Sequence, residues 1–269
     1  MRVRVGVFVV PAAADPAATV AQIVAADRAG LDVAGVQDHP YQRRFLDTWT
    51  LLAFAAARTE RITLLPDVAN LPLRPAPMLA KAATSLDVLS GGRLELGLGA
   101  GAFWDGVAAM GGPRLTPRES VDAVEAAIPV LRSFWDEPGK HHGPPPAHRI
   151  GVWLGAYRPR MLRITGRLAD GWLPSLSPNY LPDEAVPELQ ATIDEAARRA
   201  GRDPAAIERG VNIMALDGDP AAAADRLARV VELGFTTLIA GLPDDDPVSA
   251  IRRLGEDVAP RLRERVGSA

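Results

Sequence analysis

Asp38 and His39 stand side by side at the end of an apolar, β-branched run, LDVAGVQDHPYQ, residues 31–42. An imidazole titrates near neutral pH, so with a carboxylate beside it His39 can exchange protons with a bound ring or a substrate. The same pair also has a structural reading, in which Asp38 pairs with Arg43 or Arg44 and His39 caps a turn before Pro40. The local chemistry leaves the two about even. Asp67, in LPDVANLPLR (65–74), is a second carboxylate at an apolar run's end, with Asn70 and Pro72 as ordinary loop residues. In LELGLGAGAFWD (94–105), Gly97, Gly99 and Ala102 fit a relaxed dinucleotide fingerprint, G-x-G-x-x-G/A. That fingerprint belongs to a first strand–helix turn and this is a fourth, so the glycines read either as room for a flat ligand or as a tight turn. Phe103 and Trp104 would wall a ring or cover the surface above it. In GVWLGAYRPRMLRITGR (151–167) a strand runs into a helix, where backbone amides favour an anion and Arg158 or Arg160 would add charge. Ser175 and Ser177 supply hydroxyls nearby. Arg163 and Arg167 are expected to be solvated or paired with Asp170. His141, His142 and His148 lie among prolines in 137–149, EPGKHHGPPPAHR, and read as surface-loop residues, with no metal site expected.

These segments need a frame that brings them together. Short Val-, Ile- and Leu-rich strands are expected at 3–10, 32–37, 62–68, 94–99, 150–155, 171–174, 210–215 and 236–240. Amphipathic helices are expected at 16–29, 47–58, 77–90, 117–135, 158–168, 182–200, 220–233 and 247–265. Asp15-Pro16, Asp203-Pro204, Asp219-Pro220 and Asp246-Pro247 each offer an N-cap carboxylate before a proline suited to the first turn. The second of these suggests a further helix start inside 182–204, and Thr116 with Glu119 has capping-box spacing. Gly30 and Gly234 sit where left-handed C-caps belong, and Pro129 should kink or split its helix. Strict alternation of strand and helix means a parallel sheet, and eight units with no leftover domain give a closed (β/α)₈ TIM barrel spanning 1–269. In such a barrel the chemistry sits at the carboxyl ends of the strands, where Asp38-His39, Asp67, the 97–102 glycines, the 155–158 turn and Ser175 fall, whereas 137–149 precedes the fifth strand.

Composition narrows the class. At 269 residues, 48% apolar and 23% charged, the chain is long enough for one large core. A net charge of −3 offers no basic surface for nucleic acid, and without cysteine there is no thiol nucleophile or disulfide framework. No run approaches membrane-span length, and the N-terminal MRVRVGVFVV reads as a first strand rather than a leader, so a soluble cytoplasmic enzyme is expected.

Three segments resemble the bacterial luciferase-like superfamily of flavin- and deazaflavin-dependent oxidoreductases. They are AADRAGLDVAGVQDH (25–39), LPLRPAPMLAKAATSLDVLSGGRLELGLGAG (71–101) and WLGAYRPRMLRITGRLADGWLPS (153–175). The resemblance implies the deazaflavin coenzyme F420 as hydride carrier, with FMN as the alternative, a small-molecule substrate, and a homodimer. Asp38 and His39 match the Asp-His of the deazaflavin-using members, where the histidine faces the coenzyme ring and takes part in proton transfer. Asp67-Val68 matches a non-prolyl cis peptide that backs the ring. Gly155, Ala156 and Tyr157, with Ser175 close by, match the positions that hold the coenzyme phosphate. Gly99 belongs to the same pocket.

Two positions depart from the family's sugar-phosphate dehydrogenases. Ala102 stands where they have a glutamate, and Pro40-Tyr41 where they have a tryptophan, which argues against that activity. The stretch 137–149 also looks shorter than the relatives' insertion, leaving a more open pocket. Two other functions remain: an FMN monooxygenase fed by a separate reductase, and a flavin-binding protein without turnover.

Overall fold

The computed structural model describes residues 2–137, 139, 142–177, 180–214, 216, 218–243 and 245–267. The expected apolar runs form β1 (Arg4–Val9), β2 (Val33–Val36), β3 (Thr63–Pro66), β4 (Ala69–Asn70), β5 (Leu96–Gly99), β6 (Val152–Leu154), β7 (Gly171–Trp172), β8 (Ser175–Leu176), β9 (Glu208–Ile213) and β10 (Thr237–Ala240). Each pairs in parallel with its neighbours, in the order β3-β2-β1-β10-β9-β7-β6-β5-β4, with β8 also on β9. β3 and β4 are two halves of one stave, and β7 and β8 of another. The ring closes through the first of these: β3 bonds to β2, while on the other side Leu64 bridges Leu94 and β4 pairs with β5. The result is a (β/α)₈ barrel of eight staves.

The helices are α1 (Pro16–Arg28), α2 (Thr48–Ala56), α3 (Ala76–Ser90), α4 (Trp104–Ala109), α5 (Pro117–Asp136), α6 (Pro159–Leu168), α7 (Val186–Arg199), α8 (Pro220–Glu232), α9 (Pro247–Arg253) and α10 (Ala259–Gly267). Asp15, Asp219 and Asp246 cap α1, α8 and α9, Asp47 caps α2, and Thr116 and Glu119 form a full capping box on α5. Gly30 and Gly234 take the left-handed conformation expected of them. No helix among the described residues is long and apolar enough to cross a membrane.

Four local expectations change. Pro129 does not split α5, because Val124, Ala127, Ile128 and Leu131 bury the same face on both sides of it. Asp203 caps only a single 3₁₀ turn, Pro204–Ala206, since β9 begins at Glu208 and leaves no length for a helix. The last helix passes through a π turn, Leu254–Val258, between α9 and α10. The short α4 was not foreseen.

Most of the core lies between strands and helices. The barrel's own interior is a smaller cluster of Val33, Leu65, Trp153, Leu173 and Ile239, bordered by Phe8 and Val68. These large side chains plug the lower barrel. Polar residues take over above them.

Candidate active site

β2 delivers Asp38 and His39 to the carboxyl end. Gln37 donates its amide to Val9 of β1, and Thr48, at the start of α2, donates its hydroxyl to the Gln37 carbonyl at 2.6 Å. Asp38 is only 2% exposed. Its Oδ2 accepts the Asn70 amide at 3.0 Å and lies 3.8 Å from Arg74 Nε. Burial raises the Asp38 pKa, while the Asn70 amide and Arg74 oppose that rise. The expected structural partners are not used: Arg43 and Arg44 are exposed, and Arg74 takes their place. Arg74 also bonds to Asp47, the cap of α2, and lies over the Trp49 ring. One guanidinium thereby ties the second and third strand-end loops together.

His39 is held by its ring contacts. Nδ1 is hydrogen-bonded to the Tyr41 hydroxyl, and the two rings meet edge to face at 5.4 Å. Phe103 meets the imidazole at 5.8 Å from another side and is itself 65% exposed. Burial lowers the His39 pKa below that of a free imidazole, with the Asp38 charge pulling the other way. Burial, with that same charge, pushes the Tyr41 phenol up to about 12.

The third stave breaks at Asp67–Val68, whose peptide bond is cis. Asp67 points into the barrel. Asn212 of β9 donates to its Oδ1 at 3.0 Å, and Oδ2 is buried without a partner. Burial pushes this carboxyl up to about 7, against the Asn212 bond. Val68 lies over the fourth-strand glycines: a Cβ on Gly99 would stand 2.7 Å from Val68 Cγ2, and one on Gly97 3.1 Å from Cγ1. The glycines therefore make room for the bulged third strand. The sequence alone did not reveal Val68 as their neighbour.

Gly155, Ala156 and Tyr157 join β6 to α6. The Gly155 amide donates to Leu98, Trp172 Nε1 donates to the Ala156 carbonyl at 2.8 Å, and the Ser175 amide donates to the Tyr157 hydroxyl at 2.7 Å. The last bond brings the sixth stave against the start of α6. Burial raises the Tyr157 pKa, opposed by Ser175. Among the described residues no side chain caps α6, so the amides that follow Pro159 in its first turn stay open to an anion. Arg158 is exposed there, but Arg160 is turned away to Asp122 and Glu125 on α5. Ser177 Oγ accepts the Tyr180 amide.

Other assignments shift. Arg163 is exposed, whereas Arg167 pairs with Glu125 because Asp170 is held by Arg132 and Arg149. His148 is no plain loop residue: Nδ1 bonds to buried Asp87 at 2.7 Å. The Glu95 carboxylate and Asp87 raise its pKa against burial. His142 stacks on Phe134, and His141 lies outside the described residues. Asn212 and Arg74 were missed by sequence reasoning. A lone asparagine in the apolar run GVNIM (210–214) was the available signal for the first, and nothing local marked the second.

Asp38 Oδ1, Asp67 Oδ2, Asn70 Oδ1 and Asn212 Oδ1 are all buried acceptors without a partner. Buried polar groups are normally satisfied, so a cluster of orphans at one mouth fits a ligand that brings N–H donors. A flavin or deazaflavin ring does so, and the uncapped α6 fits its phosphate. The family model for luciferase-like monooxygenases matches residues 2–267. The chain belongs to this family. Luciferase-like enzymes are flavin- or deazaflavin-dependent oxidoreductases, and this protein is an oxidoreductase of that kind. It is 31% identical to the 5,10-methylenetetrahydromethanopterin reductase of Methanolobus tindarius, over 91% of this chain and 72% of the relative. Its fold is similar to an F420-dependent secondary alcohol dehydrogenase solved with an F420–acetone adduct, at TM-score 0.83 and 17% identity, covering 98% and 100% of the two chains. It is also similar to the oxygenating constituent of a Pseudomonas putida diketocamphane monooxygenase solved with FMN, at TM-score 0.78 and 16% identity, covering 97% and 99%.

Proposed function

We propose that this luciferase-like enzyme passes hydride between coenzyme F420 and a small organic substrate at the carboxyl mouth of its barrel. The observation that carries the reading is convergence. Asp38–His39, the cis Asp67–Val68 bulge and the open start of α6 lie far apart in sequence and meet at one end of the fold. When bound, the deazaflavin donates or accepts the hydride. The chain's residues supply the rest. His39, whose pKa burial lowers, moves the proton. Asp38 with Arg74 holds the loop that carries it. Val68, seated on Gly97 and Gly99, supports the ring, so Gly99 acts through Val68. The amides of Ala156 and Tyr157, with Ser175 and the Arg158 charge, hold the phosphate, while the Gly155 amide, bonded to the Leu98 carbonyl, fixes the turn that presents them. Ala102 and Pro40-Tyr41 argue against a sugar phosphate as substrate.

The methanopterin reductase and alcohol dehydrogenase relatives support this choice. The FMN-containing neighbour supports the rival, an FMN monooxygenase. A second copy of the chain is proposed to cover the apolar groove of about 660 Å³ between α1 and α2, beside exposed Phe54, with Met78 and Leu89 exposed on α3. Light scattering would give a monomer mass if that is wrong.

Fluorescence titration with F420 and, separately, with FMN tests the cofactor. Saturable binding of F420 alone is expected, preference for FMN would establish the monooxygenase reading instead, and binding of neither would overturn both. His39→Ala should keep coenzyme affinity and lower turnover by roughly 10²–10⁴-fold. Unchanged turnover would remove His39 from the proton transfer, and a protein without any turnover would be a binding protein.

A further inference from the structure

We infer that Tyr41 is a positioning residue for His39: its hydroxyl occupies Nδ1 and leaves Nε2 as the nitrogen that exchanges a proton with the reacting molecule. The inference rests on the proposed role of His39. Asp38, although adjacent in sequence, does not orient the imidazole: Oδ2 is engaged by the Asn70 amide beside Arg74, and Oδ1 makes no hydrogen bond to the ring. The ring's hydrogen-bond partner is Tyr41, and among the described residues Nε2 has none.

Tyr41 is itself fixed. A Cβ on Gly106 of α4 would stand 2.7 Å from Tyr41 Cγ, so the helix backbone backs the phenol ring closely. Phe103 lies 6.0 Å from Tyr41 and 5.8 Å from His39, closing a cluster of three rings. Its φ of 55° is the one left-handed value among the described non-glycine residues, and the loop holds this unfavourable conformation where the ring meets both partners.

The chemistry follows from protonation. A phenol with its pKa pushed up to about 12 stays protonated at working pH, and its oxygen accepts Nδ1–H of the imidazole whether or not the ring is charged. When His39 gains a proton it takes it at Nε2, and Nδ1–H stays on the phenol oxygen. In both states Nδ1 keeps its proton and Nε2 alone gains or loses one, which fixes the tautomer that faces the site. The charged groups around the pair are Asp38, screened by Arg74, and on α4 Asp105, which is paired with Arg114. None of them offers His39 a competing hydrogen bond.

The test is the imidazole tautomer, read by nitrogen-15 NMR on the histidine-labelled protein without coenzyme, with His39 assigned by its loss in His39→Gln. The wild type should show the Nδ1–H form above the ring's pKa. Tyr41→Phe should cut that preference roughly three- to tenfold, the leverage of one neutral hydrogen bond, while F420 affinity stays unchanged. If Tyr41→Phe does not fold, Gly106→Ala displaces the phenol while keeping its hydroxyl, and should move the tautomer ratio the same way. An Nε2–H tautomer in the wild type, or a ratio that neither variant moves, overturns the inference. Absence of F420 binding by the wild type would overturn the cofactor assignment alone, because the tautomer is measured without it.

Discussion

Asp27, in the last turn of α1, and Asp67, at the break in the third stave, are both nearly buried carboxyls, yet their acidities move in opposite directions. Burial pushes Asp27 up, but its carboxylate accepts the amides of Glu60, Arg61 and Ile62 at 2.8–3.0 Å, and together these outweigh burial and lower its pKa. Asp67 has one side-chain partner and an empty oxygen, so burial wins. The contrast extends to the two ends of the barrel. At the amino end Asp32 binds Arg2 and Arg263, Asp170 binds Arg132 and Arg149, and Arg93 donates to Thr59, Ala56, Ser90 and Ile62. A polar groove of about 890 Å³ opens there, but Asp32 and Arg263 on its walls bind each other, and Arg93 is tied to backbone and Thr59. Its charges serve the fold. The carboxyl end keeps acceptors unsatisfied, as a binding site must if its ligand is to complete them.

The comparison breaks hardest at the amino end. Asp27→Ala would strand three amides at the start of β3, at a cost of about 3–5 kcal/mol. For a chain of this size that is a fall of roughly 10 °C in Tm. F420 affinity of the folded variant should stay within about twofold, since a fully open carboxyl mouth remains. A Tm change below about 2 °C would show that those amides find water instead. In the wild type this contribution is full above the ordinary carboxylate pKa of 3.8 and is lost as the pH falls through the lower folded value.

Asp67 carries the opposite sign. Between 3.8 and about 7 the folded state keeps a proton that the unfolded chain has released, so stability falls as pH rises across that window and is level above it. Asp67→Asn removes the ionisation and can pair its amide with the orphaned Asn212 Oδ1. Its advantage in Tm should be near zero at pH 4 and grow to roughly 10 °C by pH 8, at about 1.4 kcal/mol for each pH unit of the window. Parallel Tm-against-pH curves for the two proteins would mean that Asp67 is ionised in the fold at little cost.

How far the sequence reveals these regions follows from the range of the forces. The eight staves are legible because period and punctuation are local: Val33–Val36 is apolar on both faces, and Asp15, Thr116, Asp219 and Asp246 cap the helices they precede. The candidate site is legible as positions, Asp38, His39, Asp67 and Gly155–Tyr157, but less so as partners. Asp67 meets Asn212 across 145 residues, and Asp38 meets Arg74 rather than the neighbouring Arg43 or Arg44. Partner choice depends on the barrel's closure, and no window of sequence contains it. The fourth-strand glycines show the same limit, since their spacing is visible but the Val68 side chain that needs the space comes from another stave.

That last point gives the smallest and most discriminating prediction. Gly99 and Gly155 both face Val68, but at different clearances: a Cβ would fall 2.7 Å from Val68 Cγ2 at Gly99 and 3.6 Å at Gly155. The first distance forces Val68 to move, whereas the second is an ordinary van der Waals contact. Overpacking of this kind costs about 1–3 kcal/mol, so Gly99→Ala should lower Tm by a few degrees and Gly155→Ala by much less. If Val68 is the seat of the coenzyme ring, the displaced side chain should weaken F420 binding at least about tenfold in Gly99→Ala, equivalent to about 1.4 kcal/mol. Gly155→Ala should leave Val68 in place, so any loss of affinity there reflects the phosphate end and should appear equally with free phosphate as competitor. Equal coenzyme affinity in Gly99→Ala and the wild type would detach Val68 from the ring and leave the glycines a purely structural part of the carboxyl end.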